Sequence, residues 1–200
     1  MTDDDWDERY RDRLRAGSND GPAPFLNEVL PLLPRGRALD LACGLGENAL
    51  LLASQGYDVL AVDFSEVAIE DLRSKSASRG IPLQAIVEDL RSWAIPQDAF
   101  EVVTCFYYLD RSLFPAIVGA LGPKGVLVYE TFTTKQRRFG PPRREEHLLH
   151  PGELRSLASG LQILRYREEI ISGPKAIASL VAVKPVVEGA SSQMRRRASL

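Results

Sequence analysis

The sequence predicts an α/β fold: a doubly wound, seven-stranded, mostly parallel sheet with an antiparallel C-terminal hairpin. Three observations predict it. Short apolar runs alternate with helix-like runs from residue 37 to about residue 131, and short crossovers demand right-handed βαβ units and a parallel sheet. The alternation then stops. Two strand-like runs follow, separated by Ser172-Gly173-Pro174-Lys175, as in a hairpin. Lastly, Asp40, Asp63, Glu88-Asp89 and Phe106-Tyr107 each close a predicted strand. Such features at one edge are hard to explain as core packing, and ligands of these sheets bind beyond the C-terminal strand ends.

The elements follow in order. Trp6, Arg9 and Tyr10 stand at helical spacing in a polar opening segment. Residues 24–33 read as a short amphipathic helix that Pro34 ends. Strand 1 covers 37–42, and a helix over 47–55 stops at Gly56, a natural C-terminal glycine. Residues 57–62 form a near-continuous apolar strand, as a buried parallel sheet requires. Ser65 caps a helix that runs to about 78, with Glu66 in its first turn. Strands 82–87 and 100–107 come next. Ser112 is the predicted cap of a helix with Leu113, Phe114, Ile117, Val118 and Leu121 on one face. Gly122-Pro123-Lys124-Gly125 stops that helix, and strand 5 spans 126–131. A polar stretch, 133–150, precedes a short helix over 152–158. The hairpin strands are 161–171 and 176–183. From residue 185 the chain is polar and is expected to be disordered.

Composition narrows the function classes. The chain has 200 residues, 25 basic and 27 acidic, for a net charge of −2. That balance lacks the basic excess which favours nucleic acid, so none is expected as a partner. No apolar run approaches the ~20 residues that span a membrane. The opening Met1-Thr2-Asp3-Asp4-Asp5 is not a signal peptide. Cys43 and Cys105 give neither a disulfide framework nor a metal-ligand cluster. The expectation is a cytoplasmic protein without a metal.

The most informative stretch is Asp40-Leu41-Ala42-Cys43-Gly44-Leu45-Gly46-Glu47-Asn48-Ala49. A strand ends in a carboxylate, and two glycines precede a helix. Gly44 and Gly46 let a ligand approach the backbone, and Asp40 suits a cation or an amine. S-adenosylmethionine (SAM), with its methionyl ammonium, fits that combination. Gly44 to Ala49 also matches the looser dinucleotide fingerprint, but an acidic side chain would repel a pyrophosphate. A plain βα turn is the third reading.

These residues resemble the class I SAM-dependent methyltransferases, a Rossmann-like family, over roughly residues 36–184. Asp40 to Gly46 looks like the family's first motif, acidic-x-x-x-Gly-x-Gly. The resemblance implies that Asp40, Ala42, Gly44, Gly46 and Asn48 form the methionyl loop. It implies that Asp63 takes the ribose hydroxyls, with Phe64 and Ser65 beside it. Glu88, Asp89 and Leu90 would meet the adenine, and Cys105-Phe106-Tyr107 matches the fourth motif. The hairpin is similar to the inserted antiparallel strand that separates this fold from NAD-binding relatives. Trp6-Asp7-Glu8-Arg9-Tyr10 resembles the opening of small bacterial tellurite-resistance and thiopurine methyltransferases, in which it folds over the cofactor; Trp6, Arg9 and Tyr10 are therefore expected at the cofactor. The domain reading that results is a single SAM-binding unit over 1–184. Within it, 1–33 is a cap segment and 133–150 a lid-like loop.

The expected reaction is methyl transfer to a small-molecule acceptor. A thiolate or an oxyanion needs no strong base, whereas a hydroxyl or an amine must lose a proton. Asp110, His147 and His150 are the candidate bases, with Tyr107 and Tyr108 as orienting donors. Each has an ordinary reading too: His150 precedes Pro151-Gly152 at a helix start, and His147 lies in a polar loop. Lys135, Arg137, Arg138, Arg143 and Arg144 follow strand 5 and suit an anionic acceptor or a solvated lid. A non-catalytic SAM-binding module and a minimal NAD(P)-dependent oxidoreductase are the alternatives. The final Arg195-Arg196-Arg197-Ala198-Ser199 looks like a kinase site or a basic end.

Overall fold

The computed structural model describes residues 3–17 and 21–186. Its seven-stranded sheet has the order β3-β2-β1-β4-β5-β7-β6. β1 (Arg37–Leu41), β2 (Asp58–Asp63), β3 (Gln84–Val87), β4 (Phe100–Phe106) and β5 (Leu121–Phe132) pair in parallel. β7 (Lys175–Val183) runs antiparallel to both β5 and β6 (Gln162–Ile171), so it alone opposes its neighbours. Strand order reverses between β1 and β4, the switch point at which such sheets bind ligands.

The helices are α1 (Asp3–Arg15), α2 (Pro24–Val29), α3 (Glu47–Ser54), α4 (Glu66–Arg79), α5 (Phe114–Ala120) and α6 (Glu153–Leu157). Alternation along the strands divides the core in two. Leu39, Leu41, Val103, Cys105, Leu127 and Tyr129 pack with α5 and α6. Ala38, Val102, Val126 and Val128 pack with α2, α3 and α4. Asp40, Thr104 and Glu130 alternate onto the second of these faces, so their burial follows from register.

Ser65 caps α4, its hydroxyl accepting from the Ala68 N–H at 3.2 Å, and Gly80 ends that helix in the left-handed region. Three expected boundaries are corrected. The 24–33 helix becomes 3₁₀ at Leu30–Leu32, where Pro31 cannot donate. Asp110, not Ser112, is the cap after β4: Oδ1 accepts from the Ser112 N–H at 2.9 Å and its hydroxyl at 2.6 Å. β5 begins at Leu121 rather than 126, because Leu121 pairs with Phe100 and a register shift absorbs the Gly-Pro-Lys-Gly insertion. The tail expected from 185 lies, from residue 187 on, outside the described residues.

Candidate active site

The site begins at the C-terminal ends of β1 and β2. Asp40 is 1% exposed. Its Oδ1 accepts from the Thr104 hydroxyl at 2.7 Å across the β1–β4 pairing. Its Oδ2 is buried without a hydrogen-bond partner. Burial pushes the carboxyl up to about 7, with help from the neighbouring Asp63 charge and against the Thr104 bond and the Ala49 backbone N–H. A buried, half-satisfied carboxylate of this kind costs more than the ~1–3 kcal/mol of a neutral unsatisfied group. An ammonium delivered to Oδ2 would remove that cost.

Asp63 is the second buried carboxyl, and its two oxygens hold two loops together. Oδ2 accepts from the Gly44 N–H at 2.8 Å, and Oδ1 from the Ser65 N–H at 3.0 Å in an Asx turn. Burial raises its pKa despite these bonds. The Asp63 carbonyl accepts from the Glu88 N–H at 3.0 Å, which ties the loop after β3 to the same corner. A carboxylate has about four acceptor positions, so the backbone N–H groups of Gly44, Ser65 and Phe64 leave it some acceptor capacity.

The glycine loop needs its glycines. Gly46 has φ +78°, and a Cβ there would meet Leu72 Cδ1 at 2.3 Å. A Cβ on Gly44 would come within 3.0 Å of Tyr10 Oη. α1 thus lies over the loop, with Tyr10, Leu45 and Ala68 buried together and Trp6 packed against them. Asp7 accepts from the Ser65 hydroxyl and fixes α1 to the start of α4. Arg9 stacks on Trp6 at 4.6 Å from the ring centroid.

Asp40, Gly44, Gly46, Asp63, Ser65 and Tyr10 therefore converge on one corner. Ala42, at φ +52°, makes the turn out of β1, and Phe64 lies half-buried beside Asp63. Other expected residues are engaged elsewhere. The Asn48 side-chain Oδ1 accepts from the Ala23 N–H at 2.8 Å. Asp89 folds back on Arg91, whose guanidinium holds it below the usual carboxylate range. Glu88 is exposed, whereas Leu90 is buried against Leu41 and Val62. Cys105 lies inside the core, and Phe106 is buried at the edge.

The four candidate catalytic side chains are each engaged with a different partner. The Tyr108 carbonyl accepts from the Tyr129 hydroxyl at 2.7 Å, and burial pushes the Tyr108 phenol up. Asp110 is occupied as a cap. His147 lies 4.0 Å from Glu146, and His150 lies 3.1 Å from Glu145. Arg111 bolts the 133–150 segment down: it donates to the Glu146 and Leu148 carbonyls at 3.1 and 2.9 Å and pairs with Glu153 at 2.6 Å. Gln136 is a second fastening, accepting from the Ala176 N–H at 2.8 Å.

Sequence reasoning missed a polar group at the end of β5. Glu130, 1% exposed, accepts from the Tyr107 hydroxyl at 3.0 Å and the Ser179 hydroxyl at 2.6 Å. A glutamate inside an apolar strand was the available signal. Among the described residues, no group of His, Cys, Asp and Glu could hold a metal ion.

Residues 38–125 match the family of methyltransferase domains. The chain is 34% identical over 46% of its length to Hemagglutinin 1 of Eikenella corrodens, covering 32% of that protein. It is 30% identical to TehB of Haemophilus influenzae, a probable SAM-dependent methyltransferase, over 41% of this chain and 29% of that one. Probable thiol methyltransferase 2 of Arabidopsis thaliana is also 30% identical, over 60% of this chain and 58% of its own. Among solved structures, magnesium protoporphyrin IX methyltransferase of Synechocystis with bound SAH superposes with a TM-score of 0.70. The match has 18% identity and covers 90% of this chain and 96% of that one. The chain spans less than two thirds of the length of Hemagglutinin 1, TehB and probable thiol methyltransferase 2.

Proposed function

Because residues 38–125 match the methyltransferase-domain family, we propose that the chain is a class I SAM-dependent methyltransferase that methylates a small-molecule acceptor with SAM as the donor. The observation that supports this best is Asp40 Oδ2, a buried carboxylate oxygen without a partner at the head of a glycine loop. An ammonium satisfies it, and a pyrophosphate does not. When bound, SAM supplies an electrophilic methyl on a sulfonium.

This chain's residues do the rest. Asp40 holds the ammonium. Gly44 and Gly46 give the methionyl portion access to the backbone. Asp63 offers its remaining acceptor positions to the ribose diol, and Phe64 and Leu90 flank the base. α1 covers the corner through Trp6 and Tyr10 and excludes water. Alignment supplies most of the rate, because the developing charge is small. The acceptor approaches over β4 and β5, the side of the switch point that the Asp40–Asp63 corner leaves open. Thiols and oxyanions are the simplest acceptors. A relative named as a thiol methyltransferase supports the first, and exposed Lys135, Arg138 and Arg143 support an anionic one.

No helix among the described residues is long and apolar enough to cross a membrane. Both cysteines are free, and a cytoplasmic setting without nucleic acid suits them and the net charge of −2. The test is release of the demethylated product (SAH) from SAM in the presence of a thiol, tellurite or a phenol. Acceptor-dependent release supports the reading. SAM binding without release from any acceptor would reduce the protein to a SAM-binding module.

A further inference from the structure

We propose that Glu130, through Tyr107, takes the proton from a phenolic acceptor. The inference rests on the methyltransferase reading and adds a base and an acceptor class to it.

The geometry is that of a relay from the surface to a buried acid. Glu130 sits on β5 opposite Phe106 of β4 and Ser179 of β7. Both of its oxygens accept from hydroxyls, Tyr107 at 3.0 Å and Ser179 at 2.6 Å. Neither partner carries a charge, so nothing neutralises the carboxylate by direct contact. Burial accordingly raises its affinity for a proton; the Ser179 and Tyr107 bonds and the more distant Arg167 on β6 and Lys175 on β7 oppose this without cancelling it. Tyr107 is the half-buried link. Its backbone is in the left-handed region, φ +58°, and its N–H donates to the Glu130 carbonyl at 2.7 Å. A tyrosine held in that unfavourable conformation by both ends of one glutamate is fixed in direction.

The surroundings suit an aromatic ring. Phe132 lies 5.2 Å from Tyr107, centroid to centroid, and Phe106 lies 6.3 Å away edge-on. Lys175 Nζ stands 4.8 Å from the Tyr107 ring centroid, where a cation favours a phenolate. All of these residues lie at the β4–β5 end of the ligand edge. In the step, the acceptor O–H proton moves to Tyr107 Oη as the Tyr107 proton moves to Glu130. A phenolate and a neutral carboxylic acid result, and no net charge is created. The proton later leaves by the same path.

The probe is 4-nitrophenol, whose phenolate is coloured. Calorimetry with SAM comes first: a wild-type protein that does not bind SAM sinks the methyltransferase reading itself. With SAM binding in hand, 4-nitrophenol should bind at pH 6 and develop its phenolate band. In Glu130→Gln, which keeps both hydroxyl partners, SAM and 4-nitrophenol should still bind but the band should be lost. Tyr107→Phe should behave alike, and methylation of the probe should fall about 100-fold in either variant. Absence of probe binding, an equal band in Glu130→Gln, or turnover confined to thiols or tellurite overturns the relay and leaves SAM binding intact.

Discussion

Asp40 and Asp63 are each at most 2% exposed, whereas the side chains of His147 and His150 are 38% and 57% exposed. Both pairs lie at the ligand edge of one sheet. The first pair is buried and has acceptor capacity to spare. The second is exposed and paired with Glu146 and Glu145. The proposed function rests on polar groups that are costly and incompletely satisfied, and titratable chemistry alone does not mark such a place. Substitutions should separate the two regions sharply.

The largest effect concerns Asp40. Its folded pKa of about 7 stands above the ordinary 3.8, so the folded protein binds the proton more tightly than the unfolded chain. Stability without ligand is therefore highest below pH 4 for this group and declines as pH rises to 7. The full penalty is roughly 4 kcal/mol. Asp40→Asn should flatten the Tm-versus-pH curve between pH 4 and 7. An unchanged slope would mean that Asp40 is solvated.

Gly46→Val comes next. The left-handed backbone costs about 1–2 kcal/mol for a side chain, and overlap with buried Leu72 adds about 1–3 kcal/mol. A loss of at least about 5 °C in Tm is expected. Asp63→Ala removes the acceptor for Gly44 and Ser65 and should weaken SAM about 10- to 100-fold by calorimetry, with Tm falling less than in Gly46→Val.

These residues mark what the sequence discloses. Strand ends, both glycines and the Ser65 cap are local patterns, and the chain folds there as its periodicity dictates. Asp40 is visible as a strand-end carboxylate, but its partner Thr104 lies 64 residues away. Only the β1–β4 adjacency brings them together. Glu130 with Ser179, and Arg111 with Glu153, are hidden for the same reason: strand order and loop docking set them, not spacing. Asp110 and Ser112 show a different limit. Both are good caps, and the backbone chooses the one that starts a 3₁₀ turn before Pro115.

The smaller effects come from the second region. Asp110→Ala should cost about 1 kcal/mol through the lost cap, read by denaturant unfolding. His147→Ala and His150→Ala should each stay within about 0.5 kcal/mol, since exposed ion pairs are weak. Their product release should match the wild type. A tenfold loss of turnover in either histidine variant would erase the contrast between the regions.

The most direct measurement is calorimetric titration of the protein with SAM and with NADH, at pH 6 in buffers of different ionisation enthalpy. SAM should bind and release protons as Asp40 ionises against the ammonium, and NADH should not bind. Binding of NADH, or of SAM with no proton released, would contradict the account of the Asp40 corner.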